Sequence, residues 1–387
     1  MPKSSTLFYN GGDVVVEEIR IVSQNGNEFD LKGMVGDFSI YEDLYSNYLS
    51  GSMVFPDSMN IVKNLPVIGQ EKLYITFNTP GVDSTPRKLK FDVYKIATYV
   101  RGMSSVTVTV RLEFVSSIAN ISAQIKLNRV MRNMPFSDMV ESIYEQAKIF
   151  DSDLPPITTA KTHGQSTVVI PNWSPLYAIN WCAHRSSFIS DPRKSDYLFY
   201  QTLDGFNFVP LSYLKDLQSV GKYTNYPGGF RNKDGERDYR KELYNIKEYV
   251  VDSMTDKAKE TKLGIYSSHM LVHEMTTKSY YDYSFSYRDS FGDTPHLNQG
   301  RMIPYDNTLQ DRNLSLLKYY DKSFFAFDSV DDSSYIDHAL ERQSLLNRMN
   351  SMKMTIDVCG NTNIRVGNII EVEFLTNQYS EKTSSDF

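Results

Sequence analysis

Residues 106–115 read VTVTVRLEFV, and the period of two in this stretch sets the fold class. In a strand, successive side chains point to opposite faces, so Val106, Val108, Val110, Leu112 and Phe114 share one apolar face. Working outward, Leu89 to Val100 (LKFDVYKIATYV), Leu73 to Phe77 (LYITF), Gly51 to Phe55, Gly36 to Ile40 and Val14 to Val22 (VVVEEIRIV) also read as strands. Turn signals separate them, among them Gln24-Asn25-Gly26-Asn27 and Thr79-Pro80-Gly81. Strand after strand with no strong helix between them predicts an antiparallel barrel or sandwich over residues 1–117.

The pattern changes after residue 117. In SDMVESIYEQAKIF (137–150), Met139, Val140, Ile143, Ala147 and Phe150 form a helical stripe, with Ser137 as the expected N-cap. Trp173-Ser174-Pro175 opens a second helix, with Ser174 as cap and Pro175 at the first helical position. It continues through Leu176, Ile179, Cys182 and Ala183. Asp196 to Val209 reads as a hairpin turning at Asp204-Gly205. Residues 118–243 are therefore expected to hold a small α+β domain that ends in a polar, turn-rich linker from 216. Strands resume at Tyr244 to Val251. A long hairpin is expected around Thr277-Lys278, and a helix capped by Ser333 or Ser334 carries Ile336, Ala339, Leu340, Gln343, Leu346 and Met349. The segment Met352 to Phe374 then reads strand, turn, strand. A second, split β domain over 244–387 follows, and the polar tail after Phe374 leaves its last strand uncovered. Either another subunit supplies a strand there or the chain is a fragment of a longer protein, and the fragment is the expectation.

Composition agrees with a β-rich chain built for assembly. Aromatic residues make up 13% of the 387, with 27 Tyr and 21 Phe against 2 Trp. Tyr and Phe fit pleated, half-buried surfaces, and Tyr suits subunit interfaces. The net charge of -6, without long Lys/Arg runs, argues against gripping nucleic acid. Two separated cysteines, Cys182 and Cys359, exclude a disulfide framework and read as packed thiols. No stretch of apolar residues is long enough to span a membrane, and the start MPKSSTLFYNGGD has no signal-peptide core, so cytoplasmic synthesis is expected.

Catalytic machinery is not legible. Phosphate-cradling, dinucleotide, His-Glu-x-x-His and nucleophile-elbow patterns are all missing. His269 and His273 share a face on a strand but stand roughly 13 Å apart, too far for one metal. Cys182-x-His184 has no second cluster to complete a zinc shell. Asp151-Ser152-Asp153 and Asp331-Asp332 read as loop or helix-flanking acids. The expectation is a protein that is not an enzyme and holds neither cofactor nor metal.

The segment IYEDLYSNYLSGSMVFPDSMN (40–60), followed by LPVIGQEKLYITFNTPG (65–81), resembles the N-terminal barrel of baseplate hub proteins of contractile-tailed bacteriophages. These are similar in turn to the base of type VI secretion spikes. The order of VTVTVRLEFVSSIANI, SDMVESIYEQ, Trp173-Ser174-Pro175-Leu176 and GNTNIRVGNIIEVEF supports the resemblance along the chain.

The resemblance implies a fold of two related antiparallel β-barrels with an inserted α+β domain. It also implies a homotrimer whose six barrels form a pseudo-sixfold ring. Such a hub adapts the sixfold tail tube, or a tube-initiator protein, to a threefold spike protein. Its channel carries the tape-measure protein and then DNA in transit, baseplate wedge proteins surround it, and the virion tail baseplate is its place. Leu44, Tyr48 and Met53 then read as barrel core, and Asn47, Ser50 and Gly51 as turn chemistry. Glu42, Asp43, Tyr45 and Asn47 are the candidate ring contact. The hub of a contractile injection particle is the near alternative. A β-rich carbohydrate-binding or cell-wall-degrading protein, using exposed Tyr and Phe, is the distant one.

Overall fold

The computed structural model describes residues 12–64, 67–80, 82–83, 85–101, 108–191, 194–231, 235, 238–253, 256–274, 278–291, 314–320, 336, 338–349 and 352–374. The fold is mainly β with an inserted α+β unit, as the strand periods and helix signals lead one to expect.

The N-terminal strands are β1 (Val15–Val22), β2 (Glu28–Asp30), β3 (Asp37–Tyr41), β4 (Ser50–Asp57), β5 (Lys72–Asn78), β6 (Arg87–Arg101) and β7 (Val108–Val115), with a short α1 (Ile61–Asn64). They form one antiparallel seven-stranded sheet in the order β2-β1-β5-β6-β7-β4-β3. On β7, Val108, Val110, Leu112 and Phe114 are buried while Thr109 and Arg111 face out. Val106 lies outside the described residues. Ile19, Ile21, Met53, Phe55, Leu73, Ile75, Phe91 and Val93 join that face in one core. The Phe38 ring on edge strand β3 meets Phe77 on β5 at 6.1 Å, so the sheet curls over its own core. Only β2, three residues long, had no readable period. Ser50 and Gly51 lie inside β4, where Gly51 pairs with Phe114 and Ile40: the strand reading of Gly51 to Phe55 holds, and the turn reading of Ser50 and Gly51 does not.

The inserted unit runs α2 (Ser117–Gln124), β8 (Leu127–Met134), α3 (Phe136–Lys148), β9 (Ile157–Thr159), β10 (Ser166–Trp173), α4 (Pro175–Ala183), β11 (Tyr197–Thr202), β12 (Gly205–Pro210) and α5 (Leu211–Lys215). Met139, Val140, Ile143 and Ala147 are buried as expected, in a core with Ile179, Cys182, Tyr197, Phe206 and Phe208. Phe150 does not join them: α3 ends at Lys148 and the ring is 62% exposed. Ser137 is not the N-cap. Pro135 holds that position with extended backbone, so the helix starts at Phe136, two residues earlier. The Ser137 amide instead donates to Thr162 Oγ1 at 3.0 Å. Helix α4 starts as expected, with Ser174 at the cap and Pro175 first. The β11–β12 hairpin pairs Thr202 with Gly205, which places Leu203 and Asp204, one residue earlier than expected, at its tip.

The C-terminal region contains β13 (Ser219–Asn225), α6 (Tyr239–Glu242), β14 (Ile246–Ser253), α7 (Lys257–Lys262), β15 (Ser267–Glu274), β16 (Ser279–Ser286), α8 (Tyr287–Ser290), β17 (Leu314–Tyr320), α9 (Ala339–Met349), β18 (Lys353–Val358) and β19 (Ile369–Phe374). The turn-rich stretch after Leu214 thus contains a strand, β13, which runs parallel to β19. Strand β18 pairs antiparallel with β14, so the two strands of Met352 to Phe374 go to different partners. The β15–β16 hairpin forms as expected, with β17 parallel on the other side of β15. Met270, Val272, Phe285, Tyr287, Ile336 and Leu340 make a small core beneath it. Thr277, Ser333, Ser334 and the tail after Phe374 lie outside the described residues.

Candidate functional site

The segment between β3 and β4 holds the four residues singled out from the sequence, and it lies where three parts of the chain meet. Glu42 accepts the Leu203 amide on Oε1 at 2.7 Å and the Val366 amide on Oε2 at 2.8 Å. One carboxylate thus ties the N-terminal sheet to the tip of the β11–β12 hairpin and to the loop before β19. Asp43 turns the chain by accepting the Tyr45 amide at 2.8 Å. Tyr45 itself is 53% exposed. Asn47 and Asn180 exchange side-chain hydrogen bonds at 2.8 and 3.0 Å, and Asn47 also donates to the Phe199 carbonyl. Glu42 and Asn47 therefore work within the chain, while Asp43 and Tyr45 sit toward solvent. Leu44 and Tyr48 pack against the neighbouring cores and Met53 is fully buried.

Beside Glu42 lies a charged joint that sequence reasoning missed. Arg365 donates Nε to Asp204 Oδ2 at 2.7 Å and Nη2 to Asp204 Oδ1 at 3.2 Å. Arg87 also donates to Asp204, and its Nε reaches Asp83 at 3.1 Å. Asp83 further accepts the Thr79 amide at 2.9 Å and the Thr362 hydroxyl at 2.6 Å. Burial alone would push both aspartates up. The Arg365 and Arg87 guanidiniums outweigh it at Asp204, and Thr362, Thr79 and Arg87 do so at Asp83, so both carboxyls lie below the ordinary 3.8. No spacing signal marks this cluster in the sequence, because its members come from three distant loops.

Among the described residues, no three His, Cys, Asp or Glu side chains come together as a metal ion would require. His269 Nε2 sits 2.5 Å from Asp282 Oδ1, diagonal to it on β16, and His273 stacks on its cross-strand partner Tyr280 at 4.3 Å, so the two engage different residues. Burial pushes the Cys182 thiol up to about 12, which keeps it protonated and a poor nucleophile at neutral pH. Asp151 and Asp153 both accept from Lys90 Nζ at 2.9 Å, linking β6 to the loop after α3. Asp331 and Asp332 lie outside the described residues. No helix among those described is long and apolar enough to cross a membrane.

The C-terminal strands, like Tyr94, Tyr99 and Val100 of β6, expose large apolar side chains. Consecutive residues Tyr249, Val250 and Val251 of β14 are 43%, 51% and 37% exposed. Successive side chains point to opposite faces, so both faces of this ribbon carry open apolar surface. Met354, Ile356 and Val358 on β18 are only half-buried, and the exposed Phe374 ring of β19 rests on Tyr249 at 4.7 Å.

No protein-family model matches the sequence, and no curated protein matches it with significance. Among solved structures, the chain is similar to a tail protein from Neisseria meningitidis MC58. That pair shares 11% identity at a TM-score of 0.51, over 92% of this chain and 86% of the other. A 43 kDa tail protein of prophage MuSo2 from Shewanella oneidensis follows, at 9% identity and a TM-score of 0.46, over 88% and 82% of the two chains. A chain of the Francisella PdpA-VgrG complex matches at 10% identity and 0.41, covering 81% of this chain and 41% of that one. The chain shares its fold with the Neisseria tail protein.

Proposed function

We propose that the chain is a structural hub of a phage tail baseplate, and that it carries no catalysis. In this reading it assembles as a homotrimer in which the curled N-terminal sheet and the C-terminal β unit serve as two related barrels. Six barrels then form a pseudo-sixfold ring beneath the tail tube, and the α+β unit holds a threefold spike. The central channel passes the tape-measure protein and DNA.

The observation that carries the assembly is the apolar surface on both faces of β14, next to a first sheet whose core is complete. Burying such surface yields about 25 cal/mol per Å², and obligate interfaces commonly exceed about 2,000 Å². Tyr45 and Asp43, held outward by the bonds of Glu42 and Asn47, belong to the ring contact in this reading. Light scattering of the purified chain, with and without a spike partner, tests it together with a low-resolution view along the assembly axis. A trimer with six lobes is expected. A strict monomer under both conditions overturns the reading.

A further inference from the structure

We draw no further inference here: the strongest candidate, the aromatic surface patch of Trp173, Tyr177 and Trp181 with Arg185 stacked on it where β10 passes into α4, is an apolar face, and nothing in the structure shows what covers it.

Discussion

Arg365 and Asp204, 161 residues apart in sequence, form a two-pronged ion pair at 2.7 and 3.2 Å. The Arg365 side chain is only 8% exposed, and it also donates to the Ile364 carbonyl at 2.8 Å. Its planar fork thus organises its own loop and grips a distant hairpin at once.

Replacing Arg365 with Ala should lower the unfolding free energy by about 1–2 kcal/mol. This is less than a fully buried charged hydrogen bond would cost, because solvent reaches Asp204. Arg365→Lys should recover only part of the loss, since an ammonium cannot bond both oxygens in the same geometry. Urea midpoints of the three proteins check this.

Acid should weaken the same joint. Asp83 and Asp204 both lie below the ordinary 3.8 in the folded chain, so they bind protons less readily folded than unfolded. Their contribution to stability is complete above that value and fades as pH falls through the depressed values. The wild-type urea midpoint should therefore drop between about pH 5 and about pH 3, and Arg365→Ala should show a shallower drop. Equal slopes would remove Asp204 from the account.

The reciprocal amide pair of Asn47 and Asn180 should behave as one unit. Each alanine variant strands the partner's amide in a half-buried site and should cost about 1–2 kcal/mol. The double variant should cost less than the sum by about 0.5–1.5 kcal/mol, as read from a thermodynamic cycle.

Gly51→Ala tests the core of the first sheet. A Cβ there would run into the Phe114 ring and the Ser39 carbonyl oxygen. Overpacking of this kind costs about 1–3 kcal/mol, and Phe114→Leu in the same chain should relieve part of it. Thermal unfolding midpoints decide the matter.

Under the proposed assembly, Tyr249→Asp or Val251→Asp should abolish the trimer in light scattering. The far-ultraviolet spectrum should stay unchanged, because neither side chain belongs to a buried core of the single chain.

Much of the fold was legible because burial in antiparallel strands writes itself as a period of two. The alternation Val108, Val110, Leu112 and Phe114 is buried throughout. Helix α4 was legible from Ser174-Pro175, since proline fits only the first turn. The start of the helix before it was misread by two residues, because Pro135 and not Ser137 holds the N-cap position. The C-terminal pairings were not legible: β13 and β19 are distant in sequence, and strand periodicity names a face, never a partner. The joint was hidden for the same reason. Glu42 was singled out by motif, but its partners are the backbone amides of Leu203 and Val366, which carry no sequence signature.

The pairing of Ser219 with Ile369 has a consequence for the order of events during synthesis. Every strand of the first sheet emerges by Val115, so that sheet can close while the rest of the chain is still being made. Strand β13 must wait for β19 and β14 for β18, and closing such long loops is slow. Meanwhile Tyr249, Val250 and Val251 leave the ribosome early and unsheathed. The C-terminal unit is thus the last part to mature and the part most open to wrong association. Slowing elongation across 250–350 should lower soluble yield more than slowing it anywhere before β8.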